Sequence, residues 1–183
     1  MTTNELPTAT TTVPLSVTTF DEHDFRKVLG RFCTGVVVVS GCHQDRPTGF
    51  AAQSFTSVSL TPPLIAVCPA KTSNSWPGIR ASGTFCINIL GSNQKALCGR
   101  FAKSGKDGQD KFANVAWTRG ANGSPILTDA IGFIECTLVA EHEAGDHTIA
   151  VGAVTHLGMV PLAENPLLFF GGGYGGFAGL TCK

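Results

Sequence analysis

Two long stretches, IGFIECTLVAEHEA (131–144) and HTIAVGAVTHLGMV (147–160), face each other across Gly145-Asp146. β-branched and aromatic residues alternate with polar ones on both sides of a Gly-Asp turn. That pattern predicts a long antiparallel hairpin. Further strands are predicted upstream. VVVVS (36–40) is β-branched, LIAVCP (64–69) and FCINIL (85–90) are short apolar runs, and GFAAQSFTSVSLTPPL (49–64) alternates until Pro62-Pro63 breaks it. PLLFF (166–170) starts a last strand before the run GGGYGG. About seven strands joined mostly by hairpins, with 22 glycines to let coiled strands turn corners, indicate a mainly β fold: a closed or half-closed antiparallel barrel.

The helices are few and short. Phe25, Val28, Leu29 and Phe32 fall at helical spacing after Asp21, Glu22 and Asp24, with Gly35 as the expected terminator. SNSWPGIRASG (73–83) reads as a helix capped by Ser73 or Ser75 and ended by Gly83. SNQKALCGRFA (92–102) reads as another, capped by Ser92, with a loop at Lys106–Gly108 and a short turn at DKF (110–112). Residues 1–19, rich in Thr and Pro, form a disordered or partner-draped tail before one domain at 20–183.

Composition narrows the function. Charged residues are 14%, against roughly 25% in a typical soluble domain. So bare a surface predicts cover by a partner, a second copy of the chain. Net charge is zero, which argues against nucleic-acid binding through bulk positive charge. The zero hides a gradient: residues 71–119 carry eight basic and two acidic side chains, whereas 120–182 carry six acidic groups and no Lys or Arg. No apolar run is long enough for a membrane helix, and the start lacks the pattern of a signal peptide, so a cytoplasmic protein is expected. The seven cysteines are odd in number, lack a CxxC pair and sit mostly among apolar neighbours. They read as reduced core residues, with no metal site.

Four features could carry chemistry. The basic middle places Lys71 before the Ser73–Ser75 helix start and Arg100 at the end of the next helix, a setting that suits a phosphate. A solvated basic face is the alternative. In GFAAQSFTSVS, small residues admit a flat ring close to the backbone while Gln53, Ser54, Thr56 and Ser57 offer hydrogen bonds. An ordinary half-buried strand would look the same. His147 at the hairpin tip could meet a ligand or belong to a plain turn. FFGGGYGGF (169–177) carries the chain's one tyrosine and could close over a ligand or form a tail; it lacks the strand–helix context of a dinucleotide fold. No G-x-S-x-G elbow occurs, so hydrolase chemistry has little support.

Together and in this order, FRKVLGRFCTGVVVVS, GFAAQSFTSVSLTPPL, KTSNSW, GRFA, DKF, GDH and PLLFFGGGYGGF resemble the flavin reductase-like family. More narrowly, they are similar to reductase components of two-component flavin-dependent monooxygenases, from about Phe20 to Phe177. The resemblance implies a split β-barrel with Greek-key strand order, a homodimer, NADH as reductant, and non-covalent FAD or FMN. It also implies a separate oxygenase acting on a phenolic or steroid-derived ring. By the same resemblance, Thr48, Gly49, Phe50, Ala51, Ala52, Gln53 and Ser54 match the flavin-binding strand, with Ser57 and Val58 near the ring. Cys68, Pro69, Ala70, Asn74 and Ser75 match the segments beside the ribityl and phosphate groups, and Arg100 and Phe101 the phosphate-gripping pair. His147, Tyr174, Gly175, Gly176 and Phe177 match positions associated with the nicotinamide, His147 as the catalytic positioning residue. Gln53 stands where many relatives have Asn. A non-catalytic flavin-storage protein on the same barrel is the alternative function.

Overall fold

The computed structural model describes residues 19–103, 110–159 and 165–177. Along the chain run α1 (Glu22–Leu29), β1 (Thr34–Gly35), β2 (Val37–His43), β3 (Arg46–Ala52), β4 (Thr56–Leu60), β5 (Pro63–Val67), α2 (Trp76–Ser82) and β6 (Thr84–Ile89). A 3₁₀ turn (Ser92–Gln94) leads into α3 (Lys95–Ala102). β7 (Trp117–Arg119), β8 (Pro125–Leu127), β9 (Gly132–Ala144), β10 (His147–Met159), β11 (Leu168–Phe170) and β12 (Gly173–Gly175) follow.

Seven strands form one antiparallel sheet in the order β3-β2-β6-β9-β10-β5-β4. Its two edges, β3 and β4, are consecutive in sequence, with Gln53–Phe55 between them. Laid flat at roughly 4.8 Å per strand, those edges would lie about 29 Å apart. The chain from Ala52 to Thr56 reaches about 15 Å at most. The sheet must therefore curl until its edges nearly meet, which makes it a barrel. The ladders stop at Ala52 and resume at Thr56, so the barrel stays split at residues 53–55.

The β9–β10 hairpin is the spine of the sheet, in register from His147↔Ala144 to Met159↔Gly132 with two bulges. Gly145, at φ +65°, supplies the left-handed position the two-residue turn needs. Gly152 marks a tightly packed point inside the barrel, because a Cβ there would lie 2.5 Å from the Phe85 ring and 2.9 Å from the Cys136 Cβ.

The run VVVV is apolar throughout because β2 is buried on both faces. Val37 and Val39 point into the barrel with Ile65, Val67, Phe85 and Ile87. Val36 and Val38 face a second core outside it, with Leu90, Phe101, Phe112 and Leu127. Buried Asn88 ties this layer together: its side chain donates to the Val38 carbonyl and the Ser40 hydroxyl and accepts from the Leu127 N–H at 2.7 Å.

Two expected helix boundaries are corrected. α1 ends at Leu29, with Gly30 rather than Gly35 as its cap. The Gly30 carbonyl accepts the Gly171 N–H at 2.8 Å, and this tertiary contact draws the chain away into β1, where Gly35 pairs with Leu168. The turn before α3 is capped by Gly91 rather than Ser92, because the Gln94 side chain takes the Gly91 N–H at 2.9 Å. The cysteines divide: Cys86, Cys98 and Cys136 are buried, Cys42 and Cys68 half-buried, and Cys33 exposed. Burial, then the nearby Glu135 carboxylate, pushes the Cys136 thiol up to about 12 and Cys86 higher still, so both stay protonated. The proposed tail at 1–19 lies outside the described residues except for Thr19, as do the loop at 106–108 and Cys182.

Candidate functional site

The split in the barrel opens into a cleft of about 510 Å³, within the range of small-molecule sites. Phe50, Ala51, Ala52, Gln53 and Ser54 form one wall. Cys68, Ala70, Thr72, Ser73 and Asn74 form the opposite one, and the inner face of α3 supplies Cys98, Phe101 and Ala102. Val36, Lys103, Lys111, His147 and Tyr174 complete the lining.

The interrupted strand is what makes the wall usable. Residues 53–55 have no cross-strand partner, so their backbone N–H and C=O groups are free of the ladder. The Ser54 hydroxyl accepts the Cys68 N–H at 2.9 Å and pins the break to the end of β5. Alanines at 51, 52, 70 and 102 leave room for a planar group against the backbone. Backbone polar groups outside the ladder, beside small side chains, suit a flat heterocycle edged with donors and acceptors, as an isoalloxazine is. The residues present fit a flavin.

Two lysines bring positive charge to the cleft. The Lys111 ammonium donates to the carbonyls of Gly49 and Phe101, both at 3.2 Å, and so sits at the C-terminal end of α3. Burial holds its pKa below the ordinary lysine value. The fold thus keeps a partly desolvated cation beside the β3 wall, where an anion would stabilise it. Lys103 lines the same end.

His147 reaches the rim because the hairpin tip is stitched to the wall: Thr148 N–H donates to the Pro69 carbonyl at 3.0 Å and Lys71 N–H to the Asp146 carbonyl at 2.9 Å. Its Nδ1 is 2.8 Å from the Asp146 carboxylate, which leaves Nε2 for a ligand. The hydrogen bond from His147, and then its charge, hold the Asp146 carboxyl below its ordinary pKa. On the other side, Tyr174 packs edge-on against Phe169 at 5.3 Å, and its hydroxyl is 3.3 Å from the Cys98 sulfur. That contact, with burial behind it, pushes the phenol up to about 12.

Not every expected residue lines the cleft. Thr48, Gly49 and Ser75 lie behind the wall, where the Ser75 hydroxyl donates to the Gly49 carbonyl at 2.7 Å. Ser57 and Val58 are on exposed β4, Pro69 serves the hairpin tip, and Gly175–Phe177 lie beyond the lining. Arg100 donates to the Ala113 carbonyl in a second recess, with Asn93, Asn114 and Asp129. Adjacent helical residues are about 100° apart, so Phe101 and Arg100 face different sides of α3. At the start of α2, the Ser73 hydroxyl already accepts the N–H groups of Ser75 at 3.3 Å and Trp76 at 3.2 Å. Val36, Thr72, Cys98, Ala102, Lys103 and Lys111 are the lining residues absent from the sequence-based set, and Ser73 entered it only as part of a helix start. The i, i+3, i+4 spacing of Cys98, Phe101 and Ala102 was the signal for the inner face of α3.

The basic middle block is divided rather than gathered. Lys71 pairs with Glu143, Arg80 with Glu141 at 2.6 Å and Arg119 with Asp45 at 3.3 Å, while Lys95 lies over the Tyr174 ring.

Known proteins are similar to this chain in sequence and fold. Flavin-dependent monooxygenase, reductase subunit HsaB, of Mycobacterium tuberculosis is 46% identical over 157 residues, covering 85% of this chain and 82% of that one. The crystal structure of a nitrilotriacetate monooxygenase component B homologue from Mycobacterium thermoresistibile superposes with a TM-score of 0.81 at 42% identity, covering 88% of this chain and 90% of that one. The NADH:FAD oxidoreductase SgcE6 of Streptomyces globisporus, solved with NAD and FAD fragments, gives a TM-score of 0.79 at 36% identity, covering 86% and 93%. Residues 29–178 match the flavin reductase like domain, and the chain belongs to that family.

Proposed function

We propose that this protein is an NADH-dependent flavin reductase that binds FAD or FMN non-covalently and hands it, reduced, to a separate oxygenase. The observation that carries the reading is the split between β3 and β4. It sets backbone polar groups released from the ladders, small side chains and Lys111 along one wall, and a hairpin-mounted imidazole at the rim.

When bound, the flavin supplies the hydride-accepting chemistry; the protein's task is alignment and exclusion of water. Phe50–Ser54 hold the ring system against the backbone. Lys111 and Lys103 meet the phosphate, and Cys68, Ala70 and Asn74 flank the chain between ring and phosphate. His147, held at Nδ1 by Asp146, orients the nicotinamide from the rim and is not required to transfer a proton.

We further propose a homodimer in the cytoplasm, serving an oxygenase of phenolic or steroid-derived rings. The dimer is supported by α1, which buries none of its residues within the chain yet shows Phe25, Val28 and Leu29 on one side, continued by Phe32. The aromatic substrate is supported by the likeness to HsaB.

The direct test is NADH oxidation at 340 nm by purified protein with FAD or FMN. Anaerobic addition of NADH to flavin-loaded protein separates catalysis from storage: a reductase bleaches the flavin absorbance, and retained colour would establish the storage reading.

A further inference from the structure

Glu141, near the tip of the β9–β10 hairpin, is sheltered where Glu143 is open to water: their side chains are 19% and 80% exposed. Glu141 pairs in register with Ala150, which belongs to the barrel core. Directly opposed residues of an antiparallel pair share a face, so the Glu141 carboxylate enters the mouth of the barrel beside α2. Trp76 and Arg80 stand one turn apart on that helix, and each engages one carboxylate oxygen. Oε1 accepts the Trp76 indole N–H at 3.0 Å, and Oε2 meets the Arg80 Nε at 2.6 Å.

The indole is the inner end of this contact. Trp76 is buried, and a buried indole N–H without an acceptor is costly. Its ring lies edge-on to two phenylalanines, Phe50 and Phe85, each with its centroid 6.2 Å away. These two neighbours are not equally free. Phe85 is fully buried, and it crowds Gly152 so closely that a Cβ there would lie 2.5 Å from its ring. Phe50 is only partly buried and lines the cleft. Displacement of the indole is therefore resisted by Phe85 and passed on to Phe50. Glu141, Trp76 and Arg80 are not themselves part of the cleft lining, so their influence reaches it through that ring.

We propose that Glu141 is a positioning residue for the flavin ring: its carboxylate fixes the Trp76 indole, and the indole fixes Phe50 on the wall that the ring occupies. The proposal rests on the reductase reading, which puts the ring against Phe50–Ser54. The role belongs to the hydrogen bond. A neutral amide at 141 serves the indole as an acceptor, whereas an aliphatic side chain cannot. The ion pair is secondary, because its arginine end is 66% exposed and screened by water.

The test measures riboflavin and FMN affinity by fluorescence quenching in the full-length protein, well below the Tm of each variant. Glu141→Leu weakens both ligands by about five- to tenfold, the scale of one hydrogen bond. The loss is equal for the two because the phosphate end of the cleft is untouched. Glu141→Gln and Arg80→Met stay within about twofold of wild type. Trp76→Phe, which keeps a ring and lacks the donor, reproduces the loss and carries the test should Glu141→Leu fail to fold. In the Trp76→Phe background Glu141→Leu adds less than about twofold, since the two residues act in series. A merely structural carboxylate would lower Tm and leave riboflavin affinity at the wild-type value. That result, a loss in Glu141→Gln as large as in Glu141→Leu, or additive losses in the double variant overturns the role of Glu141 while the flavin site stands. If the wild type binds neither flavin, the reductase reading falls and the proposal with it.

Discussion

Replacing Lys111 with methionine keeps the length and packing of the stem and removes the cation. In the free protein the cost is small. The Gly49 carbonyl keeps its bond from the Ser75 hydroxyl at 2.7 Å, and the Phe101 carbonyl lies near the end of α3, where such groups find other partners. The variant also sheds the desolvation of an amine whose pKa burial has lowered, so stability changes by about 1 kcal/mol or less. Flavin binding changes far more. A phosphate that loses one charge-assisted hydrogen bond forfeits about 1.5–3 kcal/mol, which is roughly 10- to 150-fold in Kd. The assay is quenching of flavin fluorescence, with FMN and with riboflavin. Lys111→Met weakens FMN by that factor and leaves riboflavin, which has no phosphate, within about twofold. Arg100→Ala, in the other recess, alters neither by more than about threefold. The pH dependence follows from the same group. Because the lysine's pKa in the free fold lies below 10.5, the fold gains stability as pH rises from that depressed value towards 10.5, where the unfolded chain holds more protons. Phosphate binding favours the protonated amine, so FMN affinity falls across that window while riboflavin affinity stays level. An equal loss for both ligands, or an FMN-specific loss in Arg100→Ala alone, refutes the assignment of the phosphate to Lys111.

Other consequences are simpler to read. Gly152→Ala places a methyl 2.5 Å from the Phe85 ring at the centre of the barrel and destabilises by about 1–3 kcal/mol, lowering Tm by roughly 3–10 °C in calorimetry; an unchanged Tm refutes the packing. Asn88→Ala removes the link among β2, β6 and β8 and leaves the Leu127 N–H buried without its acceptor, costing about 2–4 kcal/mol in urea unfolding. His147→Ala raises KM for NADH several-fold with little change in flavin Kd, whereas equal effects on both would remove His147 from the nicotinamide side. Sedimentation of Val28→Glu tests the dimer: a charge on the bare face of α1 shifts the protein to monomer if that face is the interface, and an unchanged dimer moves the interface elsewhere.

The barrel was legible because its signals are local. Alternation around Gly145-Asp146 announces β9 and β10, and four β-branched residues in a row announce β2. The three residues that create the site were harder to see, because GFAAQSFTSVS reads as one continuous strand. Only the pairing of β3 with β2 and of β4 with β5 shows that Gln53–Phe55 belong to neither ladder. The cations illustrate a different obstacle. Arg100 and Phe101 are neighbours in GRFA, and adjacency suggested a shared role, but a helix turns successive residues about 100° apart. Lys111 sits in an ordinary turn and becomes part of the cleft only because Phe112 beside it packs edge-on against Phe101, their rings 5.0 Å apart. That contact joins residues eleven apart in the chain and delivers an ammonium to the end of α3. Charge totals could not have found it, since half the basic block is spent on Lys71, Arg80, Arg119 and the Lys95–Tyr174 contact. The strand pattern determines where the barrel splits. Which charge meets the ligand there is determined by an aromatic pair in the second core, so altering Phe112, itself outside the lining, should affect phosphate recognition through its contact with Phe101 and its neighbour Lys111.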